Sequence, residues 1–558
     1  MKIRNNIILA TLGLVISGSA VKAQSLEDAK KAVYAEQYQN AKAMFKNLTL
    51  TQPANAENYF YFGDLYLNTN NPDSAKIVFQ KGIAADPKFT LNYVGLGAVN
   101  LFEKNPTAAQ ANFNLATAGM KKKDYKENIY IGKAYTYEAS RDLPKAFQWF
   151  EKAKEMGEKD LELQIAMGNA YKVDKKNSDA VGAYQKAMNI QSNLPRVEVN
   201  IGEIWTQAYN FDLAESTLKG VIAKEPNFGP AYRALAENYY RWGSQFPNKR
   251  AELLPKAQAN YSKYLDLTDR SAESRYRYLI FLLNAGDYAT LETEASSFIM
   301  QYGTTNKDYA LAQRFLGYAY VENGKSNDGA KYLKNFMSDV DAKRIISDDY
   351  LYLGKAYQNQ KQDSLAIINF VKGYELDTAN TQVLTSIAKS YFSSKKYGKA
   401  SEYYRKLAAL PKASYADKFY LGYADYFYYA TELANKSLKD PALTNRILLE
   451  ADSAFTFVGE KAKNNDAYLY LARVEYYLDP TDAARKSANA YDKYIELTLL
   501  KPTQIPADKK NLIEAYSYNG GVYIKSDKSR AKDYFEKALA LNPSDAKLKE
   551  ALRAIAGK

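Results

Sequence analysis

Cysteine and histidine are both absent from the 558 residues. Without thiols there is no disulfide, no thiolate nucleophile, no cysteine-based zinc site and no lipidated cysteine. Without imidazole there is no Ser-His-Asp triad, no histidine general base and no imidazole-bound metal. Only carboxylate, lysine or tyrosine chemistry is left for an enzyme, and no such signature stands in the chain. Catalytic residues, a cofactor and a metal are therefore not expected. Long apolar runs are also lacking after the first 23 residues. A membrane-spanning helix needs about 20 apolar residues, whereas Leu279 to Leu283 runs for five. No transmembrane segment is expected in the mature chain.

The start of the chain has the layout of an export signal. Lys2 and Arg4 form a short positive region, Ile7 to Ser19 is apolar, and Val21-Lys22-Ala23 offers a small-residue cleavage site before Gln24. This order predicts a cleaved signal peptide over 1–23 and a periplasmic chain, in association with the outer membrane. Cleavage would remove three of the cations behind the formal charge of +13. A moderately basic exported chain meets anionic headgroups, glycans or acidic proteins, and nucleic acid is not expected as a partner. The charges are interspersed with acidic residues, so a plain solvated surface is the simpler account of most of them.

Against these absences stands a period. Phe45, Phe79 and Phe113 are 34 residues apart, as are Ala41, Ala75 and Ala109. Pro53 and Pro87 keep the interval, and so do Gly63 and Gly97. That is the length of a helix–turn–helix unit in a stacked solenoid. One unit reads Tyr59, Phe62, Gly63, Tyr66, Ala75, Phe79 and Pro87; another reads Tyr350, Leu353, Gly354, Tyr357, Ala366 and Phe370; the last reads Tyr516, Gly520, Tyr523, Ala531, Phe535, Ala538 and Pro543. Small Gly and Ala let helices A and B of a unit approach, aromatics fill the gaps, and Pro stops helix B. Most of the 50 tyrosines are expected at fixed core places of the repeat.

These residues resemble the tetratricopeptide repeat (TPR) family. The resemblance implies an all-α, right-handed superhelical solenoid of about 14 repeats. The expected organisation is a signal peptide (1–23), an N-terminal array (24–270), a degenerate repeat (271–302, two helices split near Gly286), a C-terminal array (303–543) and a charged capping helix (544–558). Short inserts are expected at Lys121 to Asp124 and Gly243 to Asn248, and a longer connection after Leu421-Gly422.

The resemblance further implies a non-enzymatic scaffold that holds a partner protein or extended peptide, in an envelope or outer-membrane complex, in a groove lined by helix A. Register places Phe60, Asp64, Leu67, Val94, Leu101, Phe102, Tyr137, Arg233, Tyr240, Lys355, Lys389 and Phe392 near that groove. The rival reading is a glycan-binding module, since TPR helices frame SusD-like nutrient-binding proteins; the missing cysteine and the short inserts weigh against it. Gly324-Lys325-Ser326 imitates the end of a phosphate-binding loop, but Ala319 stands where a glycine is required, and the triplet reads as an inter-helix turn. Asp-Ser/Thr triplets at Asp73, Asp363, Asp377 and Asp452 resemble O-glycosylation acceptors; helix capping is the simpler account, with three of the four near the start of a helix B.

Overall fold

The 34-residue period becomes helices because each unit carries its own start and stop signals. Asn71 and Asn105 each stand one residue before a proline, at the first position of a helix B. The Asn71 side chain accepts from the Ser74 amide at 3.2 Å, and Pro72 has no amide left to satisfy. Between helices A and B the backbone enters the left-handed region at Glu36, Asn70 and Lys104, at Lys175 and Tyr209, and at Lys361 and Lys395, all with φ near 60°. The next amide then reaches back to the preceding helix, as Asn71 N does to Tyr66 O at 2.8 Å, which closes the helix end. Gly324, with φ +80°, holds this place after its helix A, so the Gly-Lys-Ser triplet is an inter-helix turn.

In the computed structural model the described residues are 25–121, 123–303, 310–434 and 440–557; the expected signal peptide lies outside them. The described residues form 29 α-helices and no strand. The chain divides into two units, Met1–Gly303 and Thr304–Lys558.

The first unit holds eight helix pairs. They are α1 (Leu26–Tyr34) with α2 (Tyr38–Thr51), and α3 (Ala56–Asn68) with α4 (Pro72–Ala85). Next come α5 (Leu91–Phe102) with α6 (Pro106–Thr117), and α7 (Lys126–Ala134) with α8 (Leu143–Gly157). Then follow α9 (Leu161–Val173) with α10 (Asn177–Ile190), and α11 (Pro195–Gln207) with α12 (Phe211–Lys224). The last two are α13 (Gly229–Gln245) with α14 (Arg250–Leu267), and α15 (Ala272–Ala285) with α16 (Tyr288–Tyr302).

The second unit holds six pairs and a final helix. They are α17 (Leu311–Glu322) with α18 (Ser326–Asp339), α19 (Ser347–Asn359) with α20 (Asp363–Leu376), and α21 (Thr381–Ser393) with α22 (Tyr397–Ala408). Then come α23 (Tyr415–Ala434) with α24 (Pro441–Ala462), α25 (Asn465–Leu478) with α26 (Lys486–Leu499), and α27 (Pro506–Tyr523) with α28 (Lys528–Leu541). The final α29 (Ala546–Ile555) packs on α28 and buries Leu548.

In most pairs with a repeat glycine on helix A, an aromatic ring on helix B lies over it, and Leu218 and Leu333 take that place over Gly202 and Gly317. Phe79 is fully buried, and a Cβ at Gly63 would sit 2.3 Å from its ring. Phe113, Phe150, Tyr184 and Phe370 occupy the same place over their own glycines. The segment 271–302 does form two helices, split at Gly286, whose φ of +71° ends α15. The insert expected at Gly243 to Asn248 is mostly helical: α13 continues to Gln245, and only the turn Pro247–Lys249 separates it from α14. The long connection after Gly422 likewise extends α23 and α24. Because α24 starts at Pro441, Asp452 lies mid-helix; only Asp73 and Asp363 of the four triplets stand in the first turn of a helix B.

Of the carboxyl groups in the core, one carries an oxygen with no partner. Asp425 on α23 is fully buried, accepts a hydrogen bond from the Ser401 hydroxyl, and has Oδ2 without a partner. Arg405 stands 3.8 Å away but is engaged by Glu450. Burial, helped by the nearby Glu450 and opposed by Ser401, Arg405 and Arg446, pushes its carboxyl up to about 7. The folded chain thus holds a proton here that the unfolded chain releases near pH 4, so stability falls as pH rises from there to 7. Asp425→Asn should stabilise the second unit by about 2 kcal/mol at pH 8, with the gain fading by pH 5. Urea unfolding of both chains at the two pH values checks this, and an equal gain at both contradicts it.

Candidate partner-binding surface

Helix A of each pair carries the polar side chains that the first unit gathers on one face. The place directly after the repeat glycine, or after Ala236 where alanine stands for it, holds Asp64, Ala98, Lys133, Asn169, Glu203 and Glu237 in successive repeats. On neighbouring helices these groups meet partners of opposite sign. Lys133 on α7 pairs with Glu162 on α9 at 3.0 Å, and Arg196 on α11 takes the same carboxylate at 3.1 Å. Lys172 pairs with Glu203 at 2.6 Å, and Arg233 reaches Glu203 at 3.1 Å and Glu237 at 3.2 Å.

The first repeat joins these networks from the far end of the unit. Glu36 receives Arg233 at 3.2 Å, the Tyr264 hydroxyl at 2.6 Å, and Arg277. The Arg196 guanidinium lies 4.0 Å over the Tyr34 ring. Burial opposes ionisation of Glu36 and Glu162, but their flanking cations outweigh it and hold both carboxyls at about 2. Burial and the nearby Glu203 instead raise Glu237 above the usual range, against the pull of Arg233. Each of these carboxylates is already satisfied within the chain, so a ligand here would have to displace an internal partner. Among the described residues no cluster of acidic groups is placed to hold a metal ion.

The groove residues named from register divide into three sets. Phe60, Leu67, Val94 and Leu101 are buried, with 3, 3, 2 and 8 % exposure. Phe60 packs on Phe79, Phe89 and Tyr130, so it fills space between repeats and offers no free surface. Asp64, Phe102 and Tyr137 come together: the Tyr137 hydroxyl donates to Asp64 at 2.5 Å, and its ring lies 5.5 Å from Phe102. Arg233 belongs to the Glu36 network, and Tyr240 is tied to the Asn284 carbonyl and the Phe281 ring. In the second unit Lys355 pairs with Glu322 at 2.8 Å, Lys389 is exposed, and Phe392 is half-buried. Register missed Glu36, Glu162, Arg196 and Arg277. The charged residues Lys133 and Glu203 directly after the repeat glycine were a readable signal; nothing local marks Glu36.

Phe392 opens a run of half-buried rings across the helix A elements of the second unit. It stacks on Tyr423 at 5.3 Å, and Tyr423 meets Tyr470 edge-on at 4.6 Å with a hydroxyl contact of 3.1 Å. Phe427, Tyr426 and Tyr477 extend the run, and Arg473 lies 4.9 Å over Tyr470 while gripping Glu514 with two bonds at 2.8 and 2.7 Å. These rings are partly buried, and each residue keeps some contact with solvent.

Two segments match a family. The tetratricopeptide repeat family matches residues 32–99, from α1 into α5, and residues 381–413, which are α21, α22 and their turn. No curated protein matches the sequence. Among solved structures, the C-terminal part of a TPR repeat-containing protein from Cytophaga hutchinsonii is similar at 25% identity, over 50% of this chain and 99% of that one, with a TM-score of 0.39. A tetratricopeptide repeat protein from Parabacteroides merdae is similar at 15% identity, over 48% and 98% of the two chains, with a TM-score of 0.34. The APC/C hetero-tetramer Cut9–Hcn1 is similar at 14% identity, over 96% and 97%, with a TM-score of 0.38. With the repeat glycine under its ring in both units and the family matched in each, the chain carries tetratricopeptide repeats in both units.

Proposed function

We propose that this chain is a non-enzymatic scaffold of the cell envelope that holds a partner protein on the inner aromatic run of its second unit. TPR folds serve protein–protein interaction in general. The observation that carries the choice of surface is the ring run from Phe392 through Tyr423 to Tyr470, partly buried and bordered by Arg473. Aromatic rings and arginine dominate the few residues that carry binding energy in an interface. Two or three such rings on rigid helices give broad contact area at small entropic cost. The first unit supports the choice by contrast, because its inner charges are engaged with each other.

Phe392→Ala together with Tyr423→Ala should reduce recovery of the crosslinked partner from envelope fractions at least about tenfold, since a single such anchor is worth about 2 kcal/mol. Circular dichroism of the same variant should stay at the parent value. Equal recovery by parent and variant would remove this surface from consideration.

The envelope assignment is supported by the charged, apolar and small-residue order of residues 1–23. Mass spectrometry of the chain from envelope fractions should find Gln24 at its N-terminus. An intact Met1 there would refute export by cleavage.

A further inference from the structure

The first unit brings its first repeat against its seventh and eighth, and the seam between them is polar. Across it Glu36 meets Arg233 and Arg277, Gln37 Nε2 donates to Leu267 O at 3.1 Å, Asn40 N donates to Asp269 at 3.3 Å, and Lys42 pairs with Glu273 at 2.9 Å. These partners are 197 to 241 residues apart in the chain. The apolar core does not cross with them. The cluster around Phe45 draws its buried members from α1 to α4 alone, and the rings at the seam are tyrosines in polar or cation contacts: Tyr264 donates to Glu36, Tyr38 lies 5.9 Å from the Arg277 guanidinium, and Tyr34 lies under Arg196.

This matters because a solenoid holds each repeat by its neighbours. The buried apolar cluster of the first repeat does not cross the seam, so the seam can part without uncovering it, through a small rotation spread over eight pairs. What opposes parting is a set of charges and hydrogen bonds that water can replace, and such contacts weaken with ionic strength.

We propose that this seam is a latch: the first unit exists in a closed form, held by Glu36, and in an open form in which the α1–α2 pair swings away from α13–α15 and admits a partner segment to the inner face. Opening takes from Arg277 the Glu36 carboxylate, and from Arg196 the Tyr34 ring. Arg277 then becomes available to an anionic segment, while Arg196 keeps Glu162 and Arg233 keeps Glu203 and Glu237. The latch is independent of whether the second unit binds a partner through its aromatic run.

The lack of native cysteine makes the test clean. Lys46→Cys on α2 and Lys263→Cys on α14 are both exposed, outside the seam contacts, and can carry spin labels. At low salt the labelled chain should give one short distance. Raising the salt to about 1 M, where the Debye length falls to about 3 Å, should bring in a second population at longer distance. Glu36→Gln should shift the distribution the same way at low salt, with unchanged helical signal. Should Glu36→Gln lose its helical signal, the salt series on the chain that keeps Glu36 decides alone. A single unchanged distance through the salt series would overturn the latch, as would an unchanged distance in a folded Glu36→Gln chain.

Discussion

Asp349→Ala should destabilise the second unit by about 3–5 kcal/mol, the cost of leaving one half of a buried ion pair behind. Asp349 is fully buried on α19 and receives Arg314 from α17 through two bonds, at 2.7 and 2.8 Å. It also accepts the Tyr318 hydroxyl and the Ile346 amide, each at 2.8 Å. Arg314 is itself 8 % exposed, so its guanidinium cannot recover water when the carboxylate goes. The Arg344 carbonyl would be its one remaining oxygen acceptor among the contacts described. Replacing both members, Asp349→Leu with Arg314→Met, should restore much of the loss, because an apolar pair of similar volume carries no uncompensated charge. Denaturant unfolding of parent, single and double variants measures the three values. A single variant within about 1 kcal/mol of the parent would mean that water reaches Arg314 after all.

Gly63→Leu should cost the first unit about 3 kcal/mol or more by overpacking. A Cβ at Gly63 would meet Phe79 Cε1 at 2.3 Å and Cζ at 2.5 Å. The ring cannot step aside, because a Cβ at Gly95 on its other flank would lie 2.3 Å from the same atom. Phe79 is wedged between α3 and α5, and any shift passes to a neighbouring helix. Leucine's better helix propensity returns at most about 1 kcal/mol. Since solenoid repeats communicate through neighbours, hydrogen exchange should quicken first in α3 to α5 and only weakly in α13 to α16. A uniform change over the first unit, or a melting point equal to the parent's, would contradict the argument.

The groove reading shows where register stops being informative. Phe60 and Asp64 both stand near the repeat glycine on α3, one turn apart. Phe60 is buried under Phe79, Phe89 and Tyr130, while Asp64 keeps some solvent and takes the Tyr137 hydroxyl. Which of two inward positions is free depends on how closely the next helix A approaches, and that depends on side chains a repeat or two away. Phe392 escaped burial in the same kind of position because its neighbours on α23 are themselves large rings that hold the surface open.

The helix pairs were decided by the sequence alone. Asn-Pro starts, left-handed turn residues at 34-residue intervals and a small residue opposite the large helix B side chain act within one repeat, so their effect can be read from one repeat's worth of chain. The all-α repeat fold and the family follow from those local rules. The meeting of Glu36 with Arg233 and Arg277 was decided by the tertiary structure. It results from a small rotation at each repeat interface, summed over seven interfaces, and no single stretch of sequence encodes the sum. The same accumulation converts scattered, unlike charges on separate helices into paired networks in the first unit, and lines up the rings of the second.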